Sequence, residues 1–400
     1  MCSHSYDTKG DRLWCGAGWT GQPAVFEHNG RLLMAFGAYD RAIHLVDATT
    51  GVAVLPPFPT GDIVKGSLTV DPDGYPLVYA GSRDNMLRVL AFDGGAWRAL
   101  WSLDADTVPG GRWNDDWDGA PLVVDDWLFE GGENSRIHAI RLNRGYDASG
   151  RVTAAPTLAW HAPGWDAELD AAMPDRNMSI EGSVTLLDDR LYFANSAGLV
   201  QGWDIRPLKT GGEPIRTLRY WTGDDTDATL VGSPEGRLYV AIERERFLAR
   251  SEEVGQLIAL DPTQPDAPRV WGLHDRPDKP LEQHNGKPRM GFWSTPALWR
   301  DLLIAGTDAG EVLGVRRSDG VVQWRLRVHA PNWSSPSVVD DTLVHADGAG
   351  KLRAWDLGSG TPVLRWEIDI GGNVEATPTL FNGSIWVATR EGFMLRIADP

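Results

Sequence analysis

The sequence predicts an all-β chain: an eight-bladed β-propeller of four-stranded antiparallel blades, closed by an N-terminal strand that completes the last blade. Three observations predict it. A unit of about 50 residues recurs, within the range of propeller blades. A tight Asn/Asp/Gly turn falls at one place in most units. The last unit stops one strand short, and the N-terminus carries the missing pattern.

Eight openings mark the repeat, each a short run of small residues: 21–25, 66–70, 119–123, 182–186, 227–231, 294–298, 334–338 and 376–380. Turns such as Asn29-Gly30, Asp188-Asp189 and Asn382-Gly383 follow. These residue types tolerate the positive φ of two-residue hairpins. An apolar strand comes next, then a Gly-rich turn and a third strand ending at an Asp (Asp47, Asp204, Asp261, Asp356). The fourth strand often carries a Trp: Trp101, Trp160, Trp221, Trp271, Trp324 and Trp366. A large aromatic at a repeated position packs one blade on the next.

The eighth unit ends at Pro400 after its third strand, whereas Arg12-Leu13-Trp14-Cys15-Gly16 has the fourth-strand pattern. Pairing the two removes an exposed sheet edge. The alternative is an open all-β array or two sandwiches. No linker divides the chain, so one domain spans 1–400, with blades at 20–60, 62–105, 113–162, 177–222, 225–273, 291–329, 331–369 and 373–400 plus 10–18.

The net charge of -17 disfavours nucleic acid and anionic lipid and favours cationic partners. No apolar run approaches the roughly 20 residues of a membrane span. Cys2 and Cys15 support neither a disulfide scaffold nor a Cys-ligated zinc. Met1-Cys2-Ser3 has the look of a mature bacterial lipoprotein with its signal removed, so Cys2 is either a lipid anchor or disulfide-bonded. The expected location is periplasmic or cell-surface, with the cytoplasm as the alternative.

The third-to-fourth strand junctions, Val46-Asp47-Ala48-Thr49-Thr50-Gly51 and Trp355-Asp356-Leu357-Gly358-Ser359-Gly360-Thr361-Pro362, resemble the repeat of the quinoprotein (PQQ-type) propellers. That resemblance covers nearly the whole chain and implies architecture more than activity. The family holds quinone-dependent dehydrogenases and also non-catalytic eight-bladed scaffolds, such as the outer-membrane assembly lipoprotein of Gram-negative bacteria. This chain is more similar to the second group: it lacks the dehydrogenases' vicinal cysteines and any Cys-x-x-Cys-His haem site.

Most long insertions fall on one face, 104–117, 162–180, 243–254 and 274–292, with two others at 143–156 and 206–216. Long loops on a rigid scaffold carry binding or catalysis. The residue before each opening is expected at the channel mouth: Thr20, Lys65, Asp118, Glu181, Thr226, Trp293, Trp333 and Glu375. Of these, Lys65, Asp118, Glu181, Trp293, Trp333 and Glu375 are the candidate ligand-binding residues. Asp118, Asn177 and Glu181 are candidate oxygen ligands for Ca²⁺, which the quinoprotein dehydrogenases hold beside their quinone. Trp293 and Trp333 suit a planar ring or a cation, or simply plug the channel. Asp118 and Glu181 also have the makings of an acid/base pair for glycoside hydrolysis. His161–Trp165 and His329–Trp333 repeat His-Ala-Pro-x-Trp, and the Asn-x-Ser sequons at Asn177, Asn332 and Asn382 are of the frequency expected by chance.

The expected function is a binding or scaffolding propeller presenting an acidic and aromatic mouth to a protein, peptide or small cationic ligand. The alternative is a PQQ- and calcium-dependent alcohol or aldehyde oxidoreductase. No catalytic residue can be named, and PQQ enters only under the alternative.

Overall fold

The computed structural model describes all residues except 8–9, 18–20, 279–280, 282–287, 329 and 399–400. Small antiparallel sheets form the blades of an eight-bladed β-propeller. The chain divides into two compact units, Met1–Pro163 with Ala376–Pro400, and Gly164–Glu375. The first holds blades 8, 1, 2 and 3; the second holds blades 4 to 7.

Blade 4 shows the plan: Thr185–Leu187, Arg190–Phe193, Leu199–Asp204 and Ile215–Trp221 pair in that order. Its first hairpin turns through Asp188 and Asp189 at φ 49° and 56°. Asn29 and Gly30 do the same in blade 1, at 51° and 72°. The Asn/Asp/Gly pairs are therefore turns because they accept the left-handed region.

The small, hydroxyl-rich first strands have a mechanical reason. Two or three places after the expected mouth position a residue gives its N–H to the matching hydroxyl one blade on: Gln22 to Ser67 (2.8 Å), Thr229 to Thr295 (3.0 Å) and Thr295 to Ser335 (3.0 Å). Two residues later, Thr69 donates to the Pro121 carbonyl and Thr379 to the Pro23 carbonyl, both at 2.6 Å. These bonds knit neighbouring blades where a large side chain would not fit. Thr69→Val, near-isosteric but without the donor, is expected to lower stability by about 1 kcal/mol in denaturant unfolding, and no change would discount the bond.

Fourth strands meet third strands with a bulge at one register in blades 2 to 7. Beside it an aromatic faces a small residue: Trp101 on Val89, Trp160 on Ala139, Trp271 on Ala259, Trp324 on Gly314 and Trp366 on Ala354. A Cβ on Gly314 would lie 2.1 Å from the Trp324 ring, so only glycine admits that indole. Trp271 reaches the next blade, donating to the Arg317 carbonyl at 2.8 Å. In blade 4 the position belongs to Leu218, and Trp221 lies three residues later.

Closure differs from expectation. Gly10–Cys15 does not become the fourth strand of blade 8, which has three strands, Thr379–Phe381, Ser384–Ala388 and Met394–Ala398. It forms a hairpin with Cys2–Asp7 instead, because Cys2 stands directly opposite Cys15 and the two are disulfide-bonded. The hairpin still rests on blade 8: a Cβ on Gly16 would fall 2.2 Å from the Thr389 carbonyl oxygen, and Arg390 covers Trp14. The Cys2 sulfur is bonded to Cys15, the second of the two alternatives the sequence leaves for it.

The insertions are ordered locally. Ala167–Ala172 is a short helix capped by Asp166, whose carboxylate accepts from the Leu169 N–H. Ala249–Val254 is a second short helix, and residues 144–154 hold a small hairpin. No described helix is long and apolar enough to cross a membrane.

Candidate functional site

A repeated backbone contact positions the chemistry. The turn between second and third strands gives an N–H to the carbonyl two residues before the mouth position: Arg83 to Ile63, Glu133 to Asp116, Ser196 to Ser179, Glu243 to Asp225, Asp308 to Gly291 and Gly348 to Pro331, at 2.8–3.0 Å. Each mouth residue therefore stands beside a turn residue of its own blade. In blade 5 the first strand begins at Val231, so Asp227, not Thr226, holds the mouth position; Thr226 is buried one residue earlier. Thr20 and His329 lie outside the described residues.

In the first unit, Lys65 of blade 2 reaches the next blade, where its ammonium pairs with Asp118 and with Glu133 at 3.3 Å. Asn114 donates to the other Glu133 oxygen at 2.7 Å, and Arg83 pairs with Asp116 at 2.6 Å. Lys65 and the three acids around it are nearly inaccessible: Lys65, Asp116, Asp118 and Glu133 are each at most 8% exposed. Burial works against ionised Glu133, but the Lys65 charge holds its pKa below the usual value. Asp116 is pushed up to about 7, by burial and then by the Glu133 charge, despite Lys65 and Arg83.

Among the described residues, Asp116, Asp118 and Glu133 are the set of three acids whose ligating oxygens lie within 4.8 Å of one another. The Lys65 ammonium already sits on two of them, occupying the place and repelling the charge of a divalent cation. These residues do not fit a calcium ion with Lys65 in place. The other candidate ligands are in the second unit, where Asn177 and Glu181 are joined through Ser179: its hydroxyl lies 2.9 Å from Asn177 Oδ1 and 2.7 Å from Glu181 Oε1. Ser196 adds a second hydroxyl to Glu181 at 3.0 Å.

Blades 4 and 5 carry acids at the same repeat positions, with one charge reversed. Asp225, Asp227 and Glu243 occupy the positions of Asp116, Asp118 and Glu133, but the place of Lys65 is taken by Glu181. Arg246 pairs with Asp225 at 3.2 Å and with Asp175 at 3.2 Å, much as Arg83 serves Asp116. Among the described residues Asp227 and Glu243 have no ion-pair partner, and Asp225 Oδ1, Asp227 Oδ1 and Glu243 Oε1 are buried without a hydrogen bond. Burial, then the Glu181 charge and that of Asp225, pushes Asp227 well above the usual carboxylate range. Burial, then Asp227, does the same to Glu243, and burial to Asp225.

The aromatic positions fall in the same unit. Trp293 and Trp333 stack on each other, centroids 4.7 Å apart and planes 9° apart. Trp333 Nε1 donates to Asp308 at 3.1 Å, and Arg289 pairs with that carboxylate at 3.1 Å. Each indole thus spends one face on the other, and both remain half-buried. Glu375 accepts from the Asn373 amide at 2.9 Å.

Sequence reasoning found one wall of this site and missed the other. Glu133, Glu243 and Asp308 share one turn position after the second strand, and Asp116 and Asp225 share the place two before the mouth. The signal was available in the repeat as an acid recurring at a fixed offset.

The chain is thus an eight-bladed β-propeller. Residues 165–337 match the family model described as outer membrane protein assembly factor BamB. No curated protein matches the chain by sequence. In fold it is similar to the computationally designed Ika8 protein, at 14% identity over 96% of this chain and 98% of that one, TM-score 0.60. It is also similar to Sqt1 of Saccharomyces cerevisiae, at 12% identity over 97% of each chain, TM-score 0.64. BamB from Moraxella catarrhalis aligns at 15% identity over 94% of this chain and 84% of that one, TM-score 0.46.

Proposed function

We propose that this protein is a non-catalytic binding propeller, and that its second unit receives a lysine or arginine side chain of a partner protein in the pocket of Glu181, Asp225, Asp227 and Glu243, beside the stacked Trp293 and Trp333. One observation carries this reading. The equivalent position beside Asp118 and Glu133 is filled by an internal lysine, whereas here the lysine position is an acid and, among the described residues, Asp227 and Glu243 lie buried without an ion-pair partner. Buried like charges are costly unless a counter-charge is supplied, and a partner's cation supplies it. The net charge of -17 draws such partners from a distance.

The family model's description supports a scaffolding role in outer-membrane assembly, and the disulfide suits an oxidising compartment such as the periplasm. No observation favours the quinone-dependent alternative, and no step is assigned to a quinone or metal.

The test uses a fluorescent ten-residue peptide with two lysines spaced by tyrosine, titrated into the whole protein. Binding is expected to weaken with added salt, as exposed charge attraction does. Trp293→Ala with Trp333→Ala is expected to weaken it about tenfold, the scale of a lost aromatic contact. Binding that ignores both salt and the double variant would overturn the reading.

A further inference from the structure

Two cations are buried among the described residues, Lys65 and Arg136, each 8% exposed. Lys65 holds two carboxylates. Arg136 has no ion-pair partner among the described residues; its side chain bonds only to a carbonyl and an imidazole. It opens the third strand of blade 3, three residues before Ala139, which faces Trp160 of the fourth. Counted back from Gly314 and Ala354, the same place holds Glu311 in blade 6 and Lys351 in blade 7. Both of those have a counter-charge: Glu311 pairs with Arg325 and Lys351 with Asp369, each at 2.8 Å. Arg136 faces Pro163 instead. Acids outnumber bases 55 to 38 in this chain, so a shortage of carboxylates does not explain the gap.

The bonds that Arg136 does make fix the chemistry left open. Nη1 gives to the Gly110 carbonyl at 3.1 Å and Nε to His161 Nδ1 at 2.8 Å. A guanidinium only donates, so His161 Nδ1 is the unprotonated nitrogen and the ring proton sits on Nε2. Burial and then the Arg136 charge lower the His161 pKa, which keeps the ring neutral. Arg136 Nη2 and His161 Nε2 make no hydrogen bond among the described residues, and neither is sealed from solvent. Two N–H donors on bonded neighbours, one of them cationic, therefore await an acceptor. This also gives a role to the first His-Ala-Pro-x-Trp run, which begins at His161.

The loop beside them is fixed. Arg112 gives its N–H to the Asn134 carbonyl at 2.9 Å, and the Ser135 hydroxyl donates to the Arg112 carbonyl at 3.2 Å. With the Gly110 bond, these pin residues 110–112 to the turn that carries Arg136. The next residue, Trp113, is 50% exposed at φ 72°, a left-handed backbone that bulky residues rarely adopt. Strain of this kind collects at binding sites.

One guanidinium and one neutral N–H suit a monoanion with a planar two-oxygen head. A dianion is disfavoured, because the same insertion carries Asp104, Asp106 and Asp115, and Asp115 is pushed up to about 6 by burial and then by Asp106. We infer that Arg136 and His161 form a carboxylate-binding site, which takes the C-terminus or an acidic side chain of a partner peptide. The site lies in the first unit and uses no residue of the acidic pocket, so either can fail without the other.

The probe is acetate, followed by nitrogen NMR on the whole protein with isotope-labelled histidines. The His161 ring signals are identified by their loss in His161→Gln. Acetate is expected to shift His161 Nε2 saturably, and chloride at equal ionic strength to leave it in place; both arms use the unaltered protein. Arg136→Lys keeps the charge without the fork and is expected to weaken acetate about tenfold. A short peptide with a free C-terminus, its amide, and the amide with one internal aspartate then assign the source. A shift with the first alone names a C-terminus, and a shift with the third names a side chain. No acetate-dependent shift, the same shift with chloride, tighter binding of phosphate than of acetate, or unchanged acetate affinity in folded Arg136→Lys would each overturn the inference.

Discussion

Lys65→Ala is expected to destabilise the protein by about 3–5 kcal/mol, the scale of stripping one partner from a buried ion pair. The ammonium is the charge that Asp118 and Glu133 share, and both carboxylates are walled from water. Without it, two acids in contact must either ionise in a poorly solvated site or take up protons. Adding Asp118→Asn and Glu133→Gln is expected to recover much of the loss, because amides need no counter-charge. Denaturant unfolding of the three proteins checks this, and a loss below about 1 kcal/mol for Lys65→Ala would show that the triad is solvated after all.

Glu181→Lys is the converse experiment and is expected to stabilise the protein by about 1–3 kcal/mol at pH 7 to 8. It recreates in blades 4 and 5 the pocket that Lys65 completes in blades 2 and 3, at the cost of two serine hydroxyl contacts. Its pH dependence has a definite sign. Asp225, Asp227 and Glu243 have pKa values raised by burial and by one another's charges. The native state therefore holds protons that the unfolded chain has released, and wild-type stability falls as pH rises from about 4, where unfolded carboxyls ionise, through the raised values. Supplying a lysine lowers those values and flattens the decline. Thermal melts across pH 4 to 8 read it directly, and identical slopes would separate Glu181 from the cluster.

Much of the fold was legible because its determinants are local and repeated. Asn29-Gly30 and Asp188-Asp189 turn where the pattern placed them, since φ preference belongs to the residue itself. The small first strands were legible too, though their reason, the hydroxyl bonds of Ser67, Thr69 and Thr295 to neighbouring blades, needed coordinates. The end of the array was misread. Residues 12–16 match a fourth strand in pattern, yet Cys2 holds them in a hairpin, and a two-residue covalent pairing outweighs a strand periodicity that fits either partner. Half of the site was visible for the same reason. Lys65, Asp118 and Glu181 precede recognisable strands, whereas Glu133 and Glu243 sit in glycine-bearing turns whose acids read as solvated loop residues. That Lys65 reaches into the next blade's pocket, while Glu181 makes its counterpart acidic, depends on blade-to-blade geometry that no single unit encodes.

The most direct measurement of the central claim is the affinity of the lysine-containing peptide for Glu181→Lys, set beside Glu181→Gln and the unaltered protein. If the pocket awaits a partner's cation, Glu181→Lys fills it internally and binding falls at least about tenfold, while Glu181→Gln, which removes one charge and keeps the space, weakens it less. Equal affinity for all three proteins would contradict the account.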